Sequence, residues 1–249
     1  MLRARHAQGL GAADLEVGVT RAVLLLAALA ACAAPAKAPL PRVEADLAAL
    51  ARDTSARLEG FAREPARPAD PGWVKAKLAN MAETDSLARR AFFSPSGRGY
   101  SEDETKAFMR GLDSQLSALD KRNTADLKAL LSSRDWFTVG ELGPQADEQA
   151  WLVVQHADLD VAFQKEVLRR LEPLAAKGQT SPANFAFLYD RVATNEGRLQ
   201  RYGTQGGCSG PGVWTPDETE EPARLDERRA AVGLPPIADY VKQSGPGCR

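Results

Sequence analysis

Apolar residues return every third or fourth position along most of this chain, and each such run stops at proline or glycine. That rhythm belongs to helices. Over residues 42–63 it is carried by Val43, Leu47, Leu50, Leu58 and Phe61, and the three prolines of "REPARPADPG" then break it. Trp73, Leu78, Met81 and Leu87 predict a second helix from Gly72 to about Phe93. Ser101 followed by Glu104 matches a capping box and opens a third, through Phe108, Leu112, Leu116 and Leu119 towards Leu131. "WFTVGELGP" interrupts, and Pro144 suits the first turn of the next helix. From Pro144 to Lys177 the spacing predicts one long helix, ended by Gly178. A shorter one follows Ser181-Pro182 through Phe185, Leu188 and Val192. After the turn at "TNEG", "RLQRYGTQ" suits a short extended segment, and Cys208 to Pro222 reads as loop. Two short helices, about 223–232 and 236–243, close the chain. Only 6% of residues are aromatic, which favours helices over a β-sandwich. The expected fold is mainly α, an irregular helical bundle with one long central helix and room for a small β element.

The N-terminus sets the expected location. Arg21 precedes "AVLLLAALAA", and with Cys32, Ala33 and Ala34 the uncharged stretch is about thirteen residues, short of the roughly 20 that span a bilayer. A basic residue, a short apolar core and small residues before the cut make a secretory signal peptide. Leu29-Ala30-Ala31-Cys32 resembles the lipobox of bacterial lipoproteins. That resemblance implies cleavage before Cys32, diacylation of its thiol and acylation of the new amino terminus, a membrane anchor of several chains. Ala33 stands where an Asp retains lipoproteins in the inner membrane, so the expected address is the periplasm-facing outer membrane. Asp14 and Glu16 suit a leader poorly, which points to translation starting near Val17 or Val19. The expected division is a signal peptide over 1–31, lipidated Cys32 and a tether over 32–41, an N-terminal helix over 42–65, and a helical domain over 72–249.

With Cys32 taken by lipid, Cys208 and Cys248 remain, in an oxidising compartment that permits a disulfide. It would close a loop of about 41 residues, worth roughly 4 kcal/mol by the chain-entropy model. A two-thiolate metal site is the alternative, but no ligand-like spacing accompanies the pair. The formal net charge of -1, with no Lys/Arg cluster, argues against nucleic acid as a partner.

His156 is the one histidine left after residue 31, and it lies in an apolar stretch, "WLVVQHADLDVAF". W-L-x-x-Q-H-A-D (151–158), D-R (190–191) and Q-x-Y-G-T-Q (200–205), in that order, resemble a bacterial family, the domain of unknown function 6624. The resemblance covers roughly residues 72–243. It implies a common helical domain whose marked positions here are Gln155, His156, Asp158, Gln164, Asp190, Arg191, Tyr202, Gly203, Thr204 and Gln205, but it brings no activity with it.

On a regular helix His156 shares a face with Leu152, Leu159, Asp160 and Phe163, while Asp158 points away, so a metal clip from His156, Asp158 and Asp160 is poor geometry. With no H-E-x-x-H, G-x-S-x-G or P-loop pattern, neither a metal nor a cofactor is expected. "YGTQGG" suits a turn better than an anion cradle. Two readings of the marked residues remain. In the favoured one, His156 faces the interior and joins the long helix to Asp190-Arg191 and to Tyr202–Gln205 as a buried network. In the other, His156 with Asp158 or Asp190 is an acid/base pair in a cleft, with Gln155, Arg191, Tyr202, Thr204 and Gln205 as binding residues. The expected function is an envelope protein, anchored through Cys32, whose helical domain binds a protein or small-molecule ligand; the rival is an envelope hydrolase.

Overall fold

The computed structural model describes residues 40–93 and 95–248. The expected signal peptide, the expected lipidation site Cys32 and nearly all of the expected tether lie outside the described residues.

The helices start where local chemistry satisfies their free N–H groups. α1 (Pro41–Ala62) begins with proline, whose missing N–H costs nothing there. α2 (Pro71–Arg90) is capped by Asp70, which accepts from the Gly72 amide at 2.8 Å. α3 (Glu102–Leu131) carries the full capping box of Ser101 and Glu104 and, at 30 residues, is the longest helix among the described residues. A single turn, α4 (Val139–Leu142), leads into α5 (Pro144–Gln155). α6 (Val161–Ala176) and α7 (Pro182–Asn195) follow, the latter capped by Ser181.

α5 packs against α2, α6 against α7, and α1 against both α2 and α3. The main core lies where α2, α3, α5, α6 and α7 meet, around Leu78, Met81, Leu127, Val154, Val167 and Leu188. A second cluster, with Val43, Leu58, Phe108 and Leu112, fastens α1 to α3. Truncating one of these leucines to alanine costs about 2–5 kcal/mol.

The fold is mainly α, as the apolar rhythm predicts, but the helix expected from Pro144 to Lys177 is two helices. α5 stops at Gln155, residues 156–160 form a tight turn, and α6 starts at Val161. The cause is Asp160. Its carboxylate accepts from the Phe163 amide at 3.1 Å and caps a new helix, which a continuous helix would have no use for. The turn also shifts the helical phase. Leu159, expected on the buried face, is 63% exposed, whereas Phe163 is buried.

The β element is a hairpin, and it lies in the tail expected as loop. β1 (Gly206–Gly210) pairs antiparallel with β2 (Val213–Pro216). Residues 200–205 are irregular instead of extended, apart from one bridge between Gln200 and Thr219. The Cys208–Cys248 disulfide ties the hairpin to the end of the chain after α8 (Leu225–Ala231) and α9 (Ile237–Ser244). Among the described residues no helix is long and apolar enough to cross a membrane.

Candidate functional site

The polar residues marked by the motifs separate into three clusters. The first is built on Asp190, in the middle of α7. Its carboxylate is fully buried and accepts from the backbone amides of Arg201, Tyr202 and Thr204 at 2.7, 3.0 and 2.9 Å, and from the Thr204 hydroxyl at 2.9 Å. The Y-G-T-Q segment is therefore wrapped round an anion, but the anion is the protein's own. Gly203, at φ +66°, supplies the left-handed turn this needs. Burial pushes the Asp190 carboxyl above its ordinary range, although the donors around it pull the other way.

Gln200 continues the clamp. Its amide donates to the Gln205 and Asp217 carbonyls at 2.9 and 2.7 Å and accepts from the Gln205 N–H at 2.9 Å. The Gln205 side chain donates to the Thr204 hydroxyl at 3.0 Å. Arg229 is also fully buried. It donates to the carbonyls of Tyr202 and Pro235 and lies 4.9 Å from the centre of the Tyr240 ring. This cluster fixes how α7, the Y-G-T-Q segment and α8 meet.

Asp158 organises the second. It accepts from the Gln164 and Asn195 amides, each at 3.1 Å, and pairs with Arg191 at 3.4 Å. Gln164, completely buried, also donates to the Val154 carbonyl at 3.1 Å. The turn at 156–160 is thereby tied to α6 and α7. Gln155 points inward, and its side-chain oxygen has no partner.

His156 belongs to neither, which corrects the expectation that it meets Asp190-Arg191 and Tyr202–Gln205. Placed at the end of α5 and turned out of phase by the break, it meets α2. Its Nδ1 lies 3.0 Å from Asp85 Oδ2, yet neither atom has an aligned hydrogen-bond partner. The other Asp85 oxygen accepts from Arg89 Nε at 2.9 Å, one helical turn on. Arg89 Nη2 reaches across to Asp120 of α3 at 2.6 Å. Asp85 is 3% exposed and His156 19%, so the carboxylate is sealed behind a ring that still touches solvent. Burial pushes the Asp120 carboxyl above its ordinary range against the pull of Arg89.

Asp120 of this third cluster lines one groove, and sequence neighbours of Asp85 and Arg89 line another. One, of 230 Å³, lies between α3 and the 156–160 turn and is lined by Asp120, Thr124, Ala157 and Leu159. The other, of 450 Å³, runs between α2 and α5 past Ser86, Trp151 and Leu152. Chemically, a neutral imidazole with its proton on Nδ1, facing Asp85, keeps Nε2 as a hydrogen-bond or proton acceptor. No group of three or more His, Cys, Asp or Glu side chains among the described residues is placed to hold a metal ion.

Asp85, Arg89, Asp120 and Arg229 escape a motif-led reading, and Gln200, though it opens Q-x-Y-G-T-Q, is not among the marked positions. One signal for Asp85 is nonetheless present. Leu78, Met81, Ala82, Asp85 and Ala88 form one buried stripe of α2, and an acid on an apolar stripe demands a partner.

No curated protein and no solved structure matches this chain. The model of one family, described only as a family of unknown function, DUF6624, matches residues 74–245. That span leaves out α1 but holds every residue of the three clusters, and on it the chain belongs to the DUF6624 family.

Proposed function

We propose that this is a lipid-anchored envelope protein whose helical domain binds a ligand at His156. The observation that carries the reading is the contrast between the clusters. Asp190 and Asp158 spend their oxygens on the fold. The His156–Asp85 pair does not: neither facing atom is aligned with a partner, the ring keeps contact with solvent, and its chain neighbour Ala157 lines the smaller groove. A half-buried imidazole that no hydrogen bond from its Nδ1 ties to the fold, set beside a buried carboxylate, suits recognition of a small molecule or a protein partner. The anchor is the lipid on Cys32, and the proposed address is the periplasm-facing outer membrane. A thermal-shift screen of the full chain tests the binding reading. Ligands should raise the midpoint of the wild type and not that of His156→Ala; equal shifts in both sink it. For the anchor, Cys32→Ser should lose incorporation of labelled palmitate, and retained label defeats the assignment.

One observation favours a second reading, an envelope hydrolase. Asp85 behind Nδ1 is the arrangement that fixes an imidazole as acid/base, with Nε2 left to take a proton from water or a hydroxyl. Asp85 takes the role that sequence gives to Asp158 or Asp190. Turnover of any ligand found, with a pH profile whose acidic limb moves in Asp85→Asn, would favour this reading over binding alone.

A further inference from the structure

The larger groove has a chemistry of its own. Trp151 of α5 lines it and is only half-buried, although its indole N–H is itself enclosed and has no partner in the protein. An edge contact with Phe187, centroids 6.1 Å apart, holds that ring in place. Around it stand Ser86 and Arg90 from α2 and Gln145, Glu148 and Gln149 from α5. Among the described residues none of these five side chains has a hydrogen bond or ion pair within the protein. Two arginines and two glutamates line the groove, Arg57, Arg90, Glu83 and Glu148, so it carries no net charge.

Those properties select a ligand class. A phosphate or a polycation would need a groove of one sign. An acyl chain would need apolar walls throughout. Sugar hydroxyls both donate and accept, and planar amide, carboxylate and guanidinium groups meet vicinal hydroxyls two at a time. The C–H face of a sugar ring is weakly positive and suits the negative face of an indole. At 450 Å³ the groove falls within the range of small-ligand sites, roughly 300–1,000 Å³.

We propose that this groove binds a neutral oligosaccharide segment, stacked on Trp151 and hydrogen-bonded by Arg90, Gln145, Glu148 and Gln149. The proposal rests on the reading of the domain as a binding domain. It places the ligand along the flank of α5 that leads to His156 through Leu152, one turn before it.

The test is saturation-transfer NMR and calorimetry on the full chain in a sugar-free detergent, with maltotetraose, cellotetraose and chitotetraose as probes. At least one probe should bind. Glu148→Ala combined with Gln149→Ala should weaken it about tenfold or more, the loss of about 1.4 kcal/mol. Glu148 is exposed and Gln149 only partly buried, so the double variant keeps its fold, which an unchanged melting midpoint confirms. No transfer to any probe at about 10 mM, where even a binding free energy of about 3 kcal/mol would register, overturns the proposal, as does binding that the double variant leaves untouched. If the sugars fail while another ligand still stabilises the protein through His156, the binding-domain reading stands and only this groove assignment falls.

Discussion

Asp85 and Asp190 are both buried carboxylates, and what each accepts separates their roles. Four donors from residues 201–204 converge on Asp190. Asp85 accepts one aligned bond, from Arg89, and turns its second oxygen towards His156. Asp190→Ala should therefore cost about 3 kcal/mol or more, because buried donors lose their acceptor together. His156→Ala should cost less, about 1–2 kcal/mol, while abolishing ligand binding. Urea midpoints rank the two, and the reverse order would make His156 chiefly structural. Asp120 adds a pH dependence. Its folded-state pKa is raised above the unfolded value, so its contribution is complete below the unfolded pKa, near 3.8, and is lost as pH rises through the folded one. Stability of the wild type relative to Asp120→Asn should fall as pH climbs above 3.8. A gap that widened in the wild type's favour on that climb would reverse the sign.

At the scale of elements, Asp160 decides the topology of the centre. Asp160→Ala removes the α6 cap and the ion pair to Lys128, at a cost of about 1 kcal/mol, and hydrogen exchange should quicken in the first turn of α6. Unchanged protection there would show that packing alone starts the helix. The same residue marks how far the sequence could be read. Helix starts at Ser101 and Ser181 are legible because cap and apolar rhythm agree. At 156–160 they conflict: the rhythm runs on, and only Asp160 announces the new start. Once the phase slips there, every inference about which face His156 occupies slips with it. The partner on α2 was beyond reach for a further reason. Asp85 lies about seventy residues away, and periodicity places a side chain on a face without saying which helix covers that face. Asp190 meets the Y-G-T-Q segment without His156 or Arg191, and which atoms donate to it depends on a backbone turn set by Gly203.

For the whole molecule, the Cys208–Cys248 bridge closes the C-terminal region, where the chain is rich in glycine and poor in core residues. Cys208→Ser with Cys248→Ser should lower stability by up to about 4 kcal/mol. Proteolysis should then cut first within residues 206–248, and a variant as resistant as the wild type would mean that the Asp190 and Arg229 clamp suffices. The aromatic rings across this region carry a further consequence. Trp214 meets Tyr240 at 5.3 Å, Tyr240 meets Phe187 at 6.1 Å, and Phe187 meets Trp151 at 6.1 Å. Each pair crosses at a steep angle, 70° or 87°, in a fixed packing. Such a row is a chiral chromophore: its near-ultraviolet circular dichroism depends on every ring keeping its place. An optical signal recorded without any label therefore reports on the disulfide-held hairpin at one end and, through Trp151, on whatever enters the groove at the other.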